Sequence, residues 1–156
     1  MALRIAAVGR LRAGAERALI DDYAARVNRI GRGIGFGPLQ IQEVEPKGRG
    51  GRSPEASLLR AAVPAGAAVV ALDERGRSLS SPDFAAKLAS WRDTGRPAAA
   101  FWIGGADGLD PGLRASADLV LSFGAMVWPH MLARVMLAEQ LYRAASILAD
   151  QPYHRS

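Results

Sequence analysis

Cysteine is absent from the sequence, and its absence excludes disulfide bonds, a thiolate nucleophile and metal sites built on cysteine. The two histidines, His130 and His154, lie far apart, and neither the H-x-x-x-H nor the H-E-x-x-H spacing occurs. The sequence therefore predicts a protein without a metal centre. A chain without cysteine also suits the reducing cytoplasm, where we expect this protein to act.

Long apolar runs are missing as well. No apolar stretch reaches the roughly 18 residues that a membrane-spanning helix needs, and the N-terminal segment Leu3–Val8 is too short and too strand-like for a signal peptide. Neither an internal repeat nor an interdomain linker is recognisable, and the length of 156 residues is usual for one domain. We therefore predict a single domain over residues 1–156.

Lysine is scarce: only Lys47 and Lys87 occur among the 20 basic residues, and all the others are arginine. The formal net charge of +5 favours an anionic partner such as nucleic acid, but an arginine-rich composition can equally reflect codon usage. The basic, glycine-rich segment Glu45–Arg52 fits a phosphate-gripping loop and a disordered surface loop equally well. It is not a P-loop, because the G-x-x-x-x-G-K-[ST] pattern is absent.

Strand and helix patterns alternate along the chain, which predicts an α/β fold with a mainly parallel sheet. The predicted strands are Leu3–Val8, Leu39–Val44, Ala67–Leu72, Ala98–Ile103 and Asp118–Leu121. Residues 73–77 are predicted to form a polar loop, and Gly31–Gly37 is too rich in glycine to continue the preceding helix.

Two serines precede proline and an acidic residue in patterns typical of helix N-termini, and these predict N-caps at Ser53 and Ser81. The last helix is predicted to run from about Pro129 to about Ala149. Its predicted buried face consists of Leu132, Val135, Met136 and Leu148.

Two glycine-containing loops follow predicted strands, at residues 104–108 and 122–128. The carboxyl ends of parallel strands form the edge at which open α/β sheets bind ligands, and glycine lets a ligand approach the backbone closely. Apolar side chains at these strand ends suit an adenine ring and a thioether better than a triphosphate. Ordinary turns with core side chains are an equally good interpretation of the composition alone.

The chain resembles the RlmH family of rRNA methyltransferases, which belong to the SPOUT class. Short motifs carry the resemblance, and they occur in the family's order over the whole chain. They are Ile5–Gly9, Ala71-Leu72-Asp73, Ile103–Leu109, Leu121-Ser122, Pro129-His130, Arg134-Val135, Glu139–Ala144 and Pro152–Arg155.

This resemblance implies a SPOUT-type α/β knot, in which a mainly parallel sheet is flanked by helices and the C-terminal segment forms a trefoil knot. It also implies a cytoplasmic homodimer that uses S-adenosyl-L-methionine to methylate N3 of a pseudouridine (position 1915 type) in 23S rRNA of the ribosome. The alternative is a non-catalytic RNA- or ribosome-binding protein with the same fold, which would not need the Gly104-Gly105 loop together with Tyr153-His154.

The resemblance assigns roles to three sets of residues. Cofactor contacts fall on Leu72, Gly104, Phe123, Gly124, Ala125, Met126, Val127 and Trp128. The groups available to accept or steer the proton of the attacking nitrogen are His130, Glu139, Tyr142 and His154, and the residues do not decide among them. The expected RNA contacts are Arg134, Arg143, Tyr153 and Arg155.

Overall fold

The computed structural model describes residues 1–155 as strands alternating with helices. The strands are β1 (Ala2–Val8), β2 (Leu39–Val44), β3 (Ala68–Arg77), β4 (Ala98–Ile103) and β5 (Leu119–Leu121). The helices are α1 (Ala15–Gly31), α2 (Arg52–Ala61), α3 (Ser81–Asp93), α4 (Pro111–Ala115) and α5 (His130–Leu148). None of the helices in this part of the chain is long and apolar enough to cross a membrane.

The five strands form one sheet in the order β2-β1-β4-β3-β5, and every neighbouring pair is parallel. The predicted α/β class is therefore confirmed. Because all strands point the same way, the loops after β1, β2, β4 and β5 leave from the same edge of the sheet. The trefoil knot stays a prediction.

Both faces of the sheet are covered, because alternate residues of each strand belong to different apolar clusters. Ile5 and Phe101 belong to the cluster that α1, α3 and α5 cover. Ala6 and Trp102 belong to the cluster that α2 and α4 cover on the opposite face. Burial on both faces explains why β4 is apolar throughout.

The prediction of a polar loop at residues 73–77 is wrong, because β3 continues to Arg77. The register against β5 shifts between Leu72 and Arg77, both of which pair with Leu121. Gly76 crosses β5 so closely that a Cβ atom there would lie 2.5 Å from the carbonyl oxygen of Val120. The bulged segment lies outside the buried part of the sheet, so the strand can continue with polar residues.

Both predicted N-caps are displaced. Helix α2 begins at Arg52, so Ser53 lies inside it. The cap residue is Gly51, which has no side chain that could accept a capping hydrogen bond. Ser80, not Ser81, caps α3, and its hydroxyl accepts a hydrogen bond from the backbone N–H of Asp83. The short helix α4, which Asp110 caps, was not predicted, since five residues are too few to show helical periodicity.

The predicted buried face of α5 is wrong, because Leu132 is 40% exposed and Val135, Met136 and Leu148 are only partly buried. The buried stripe runs from Arg134 through Leu137, Leu141 and Ala145, at the spacing of one helix face. The first residue of this stripe is an arginine, which the apolar periodicity of the sequence does not include.

Candidate active site

A cleft of about 590 Å³ lies at the carboxyl ends of β3, β4 and β5, within the usual range for small-molecule sites. Seven of the eight predicted cofactor contacts line it: Leu72, Gly104, Phe123, Gly124, Met126, Val127 and Trp128. Ala125 is the exception, since it is not among the lining residues. His130, the first residue of α5, also faces this cleft.

The loop after β4 forms one wall of the cleft and is tightly folded. The N–H of Gly108 donates to the carbonyl oxygen of Gly105, 3.0 Å away. A Cβ atom on Gly104 would lie 2.7 Å from the carbonyl carbon of Gly108. Glycine is therefore required at 104 so that the loop can close on itself, and not only to admit a ligand.

The loop after β5 forms the opposite wall and leaves large apolar side chains open to solvent. The hydroxyl of Ser122 accepts a hydrogen bond from the N–H of Gly124, 3.0 Å away, which fixes the start of the loop. Met126 and Val127 are 77% and 79% exposed, and Trp128 is 44% exposed. An exposed apolar loop beside a cleft is typical of a binding surface.

Acidic side chains outnumber basic ones on the cleft wall, where Asp73, Glu74 and Asp107 face Arg75. The Asp73 carboxylate already accepts hydrogen bonds from the Arg75 N–H and the Arg114 guanidinium. The carboxylates of Glu74 and Asp107 give the cleft a negative side that suits a cationic ligand. These acids were not among the predicted site residues, although Asp107 lies inside the predicted loop.

Glu55, in the first turn of α2, lies behind the loop after β4. Its Oε1 atom would be 3.3 Å from a Cβ on Gly105, and its buried Oε2 atom has no hydrogen-bond partner within residues 1–155. Burial raises the pKa of Glu55, and the nearby charge of Asp107 raises it further.

Arg134, one of the predicted RNA contacts, is buried in this structure. The residue is only 1% exposed. Its guanidinium donates to Glu43 at 2.9 Å and to the carbonyl oxygens of Val8 and Gly9 at 3.2 and 3.3 Å. Because Glu43 also accepts from the N–H of Leu11, this buried network attaches the start of α5 to the ends of β1 and β2.

The C-terminal tail folds back on α5 instead of fraying. The reversal occurs at Asp150, whose φ of 54° is left-handed, and the N–H of Gln151 donates to the carbonyl oxygen of Ser146 at 2.8 Å. The Tyr153 ring then packs 4.4 Å from the ring of Tyr142. These contacts hold the tail against the second half of the helix.

A polar network joins the tail to α5. Arg143 donates twice to Glu139, at 2.7 and 3.0 Å, and lies 4.8 Å above the Tyr153 ring. The Tyr153 hydroxyl donates to the same Glu139 oxygen at 3.0 Å, and Nδ1 of His154 lies 3.3 Å from Arg143. Burial, with this hydrogen bond to Glu139, raises the pKa of Tyr153 to about 12, so its phenol is a donor at neutral pH.

Comparisons with known proteins identify the family of the chain. A family model described as "Predicted SPOUT methyltransferase" matches residues 1–154. The chain belongs to the SPOUT methyltransferase family. Fold class, methyltransferase activity and the cofactor S-adenosylmethionine, all implied by the resemblance, are thereby confirmed.

Several relatives of this SPOUT methyltransferase carry the name "Ribosomal RNA large subunit methyltransferase H". The protein from Ruegeria pomeroyi is 64% identical, and that from Dinoroseobacter shibae is 65% identical, each over 99% of both chains. The protein from Roseobacter denitrificans is 64% identical over 100% of both chains.

Two solved structures share the fold of this SPOUT methyltransferase. A probable methylase family protein from Haemophilus influenzae superposes with a TM-score of 0.58 at 13% identity, covering 99% of this chain and 70% of that one. A probable methyltransferase from Bordetella pertussis gives a TM-score of 0.51 at 16% identity, covering 92% and 93% of the two chains. At these identities the likeness concerns the fold alone.

The cleft of this SPOUT methyltransferase fits S-adenosylmethionine. Leu72, Phe123 and Trp128 supply apolar contact for an adenine ring, the glycine loop allows close backbone approach, and the carboxylates of Glu74 and Asp107 complement a sulfonium and an ammonium group. Within residues 1–155 no cluster of histidine, aspartate and glutamate could hold a metal ion.

The predicted catalytic groups fall into two sets. His130 lies in the cleft, whereas Glu139 begins the tail network about 14 Å further along the axis of α5, at about 1.5 Å per residue. Tyr142 is buried between Tyr23 and Tyr153. A single chain therefore does not bring all these groups together.

Proposed function

We propose that this protein is an S-adenosylmethionine-dependent methyltransferase that methylates N3 of a pseudouridine in 23S rRNA (position 1915 type), acting on ribosomes in the cytoplasm. The observation that carries the proposal is full-length identity of 64–65% to relatives named as large-subunit rRNA methyltransferases. The cleft with its glycine loop supports the same conclusion, since a protein that only binds RNA does not need a cofactor site.

The chemistry requires little covalent help from the protein. Bound S-adenosylmethionine supplies the electrophilic methyl group. The protein must hold the attacking nitrogen in line with that group, with reacting atoms about 3 to 3.5 Å apart, and must accept or guide one proton. His130 lies in the cleft and is our candidate for contact with the base there.

The remaining candidates act from the tail network. Glu139 accepts hydrogen bonds from both Arg143 and Tyr153, so we assign it to positioning those two side chains and not to proton transfer. The Tyr153 hydroxyl donates a hydrogen bond to Glu139, and the partly buried His154 and the exposed Arg155 follow it in the tail. We assign contact with the base to Tyr153, proton transfer to His154, and phosphate contacts to Arg143 and Arg155.

We further propose that the protein acts as a homodimer, in which the tail network of one protomer completes the cleft of its partner. An apolar groove of about 400 Å³ between α1 and α5 supports this proposal, and Leu19, Tyr23 and Met136 are among the residues that line it. Leu19 and Leu132 are exposed beside it. A two-fold contact through this surface would cover the apolar side chains and combine the two sets of catalytic groups.

Methyl transfer to ribosomes tests the activity. Ribosomes from a strain that lacks this protein are incubated with the purified protein and tritiated S-adenosylmethionine, and the methylated nucleotide in 23S rRNA is located by mass spectrometry. We expect one methyl group on N3 of a pseudouridine. Binding to ribosomes without any transfer would instead support the non-catalytic alternative.

A further inference from the structure

Five cationic side chains lie on two neighbouring segments at the cleft edge of the sheet. Arg10 and Arg12 belong to the segment that follows β1, and Lys47, Arg49 and Arg52 belong to the segment that follows β2 and enters α2. Because β1 and β2 are parallel neighbours, their following segments leave the sheet side by side. All five residues are exposed.

These five cations are not neutralised by the described part of the protein. None of them forms a salt bridge or a side-chain hydrogen bond there, whereas Arg17 and Arg26 on α1 are paired with aspartates. The nearby Glu43 carboxylate is already bound by Arg134 and by the N–H of Leu11. Positive charge therefore accumulates on this surface and is available to an anionic partner.

The backbone of the second segment leaves room for such a partner. Gly48, Gly50 and Gly51 have nothing within 4 Å of an ideal Cβ position, and Gly48 and Gly51 have φ values of +85° and +123°. Unlike Gly104, these glycines are not required by close packing within the chain. They keep the segment free of side chains between its cations, so a phosphate can approach the backbone N–H groups.

The basic surface adjoins the loop that lines the cofactor cleft. Ala7 of β1 pairs with Ile103 of β4, so the segment after β1 lies next to the loop after β4. In that loop, a Cβ on Gly105 would lie 3.1 Å from Val8 and 3.3 Å from Glu55, residues that flank the two basic segments. A polyanion that lies along this surface thus reaches the rim of the site.

We propose that Arg10, Arg12, Lys47, Arg49 and Arg52 form a docking surface for the phosphate backbone of rRNA next to the target nucleotide. The inference rests on the proposed function and adds to it the face of the protein that the RNA follows. Arginine forks match phosphate oxygens, and cations spread over two segments suit a chain of phosphates better than a single nucleotide. Contacts of this kind position the RNA without reading its sequence.

The test compares two triple variants that each lose three positive charges. The first is Arg10→Gln, Arg12→Gln and Arg49→Gln. The matched control is Arg29→Gln, Arg32→Gln and Arg60→Gln. These three arginines lie at the C-terminal ends of α1 and α2, at the opposite edge of the sheet. Binding to undermethylated ribosomes is measured over a range of salt concentrations, together with methyl transfer and cofactor titration.

We expect the docking variant to bind ribosomes at least about tenfold more weakly. The slope of the logarithm of its binding constant against the logarithm of salt concentration should be shallower by about two to three, since each phosphate contact contributes roughly 0.7 to 0.9 to that slope. KM should rise while kcat and cofactor affinity stay near the parental values, which also shows that the variant is folded. Equal losses in both triple variants would overturn the docking surface. Failure of the parent to transfer methyl groups would overturn the proposed function instead, and the binding measurements would still decide whether this surface docks RNA.

Discussion

Gly104 combines two demands at a single residue: the loop after β4 must close on itself, and its backbone must face the cleft. A Cβ atom there would overlap the backbone of Gly108 and Leu109, so a larger residue displaces the wall of the cleft. Overpacking of this kind typically costs about 1 to 3 kcal/mol.

We therefore expect Gly104→Val to bind S-adenosylhomocysteine about tenfold to a hundredfold more weakly in isothermal titration. The control is Gly33→Val, because Gly33 lies in an open turn outside the cleft where a Cβ would be 3.8 Å from its nearest neighbour. Parental affinity in Gly104→Val would show that the cofactor is bound elsewhere.

Glu55 shows how burial raises the pKa of a single carboxyl group. Its pKa is raised in the folded protein above the ordinary value of 4.5. The folded state therefore binds the proton more tightly than the unfolded state does, so this group favours folding at low pH, and that contribution is lost as pH rises through the raised pKa.

We expect Glu55→Gln, which mimics the protonated acid, to raise the melting temperature at pH 7. The difference from the parent should shrink as pH falls through the raised pKa and should vanish below about 4.5, where the parental carboxyl is protonated in both states. Glu45→Gln, on the exposed neighbouring segment, serves as the control in the same thermal scans. A constant difference at every pH would contradict a charge-based effect.

At the scale of elements, α5 serves two sites with its two halves. The first half begins at His130 in the cleft and is attached to β1 and β2 by the buried Arg134 network. The second half carries Glu139 and Arg143, on which the tail folds. One helix thus sets the spacing between the cofactor cleft and the tail network.

Deletion of Pro152–Ser156 should separate these roles. The loss of the Tyr153 contact with Tyr142 should lower stability by only about 1 kcal/mol, and cofactor titration should be nearly unchanged because none of the tail residues 152–155 lines the cleft. Methyl incorporation into ribosomes should fall by about a hundredfold or more, since both positioning and proton transfer are lost.

Two results would contradict this division. Near-parental methyl incorporation would show that the tail has no catalytic role, and an equal loss of cofactor affinity would place it in the pocket. Tyr153→Phe is the milder companion variant, because it removes only the hydrogen bond to Glu139 and keeps the ring.

At the scale of the whole molecule, the exposed large apolar side chains outside the loop after β5 lie on α1 and α5. Leu19 of α1 and Met131 and Leu132 of α5 are 40–46% exposed, on the same face of the sheet as the groove between these helices. Exposed apolar side chains next to an apolar groove on a small protein favour an interface with another protein chain.

We expect light scattering to show a dimer at micromolar concentration and Leu19→Glu to shift it to a monomer, because a buried unpaired carboxylate is costly in an interface. Ala61→Glu, at the end of α2 on the opposite face of the sheet, should leave the dimer intact. If the dimer is the working unit, Leu19→Glu also loses methyl transfer while it keeps cofactor binding. A parental protein that is monomeric at this concentration would refute the assembly.

The order of strands and helices and the position of the cleft could be predicted from the sequence, because these features depend on local signals. Apolar runs such as Ala98–Ile103 indicate buried strands, and glycines directly after a strand indicate its ligand-binding end. The motif order also indicated the family. Boundaries were less predictable where a tertiary contact extends an element, as at Gly76, whose close approach to β5 prolongs β3.

The tertiary structure alone decided the roles of the charged residues, because the partners of a charge lie far away in sequence. Arg134 has the sequence context of a surface cation, yet folding buries it beside Glu43 and the end of β1, where its guanidinium binds a carboxylate and backbone carbonyl oxygens. Arg10 and Arg49 have a similar sequence context, and folding leaves both of them exposed. Burial and long-range pairing separate these cases, and local sequence patterns carry neither.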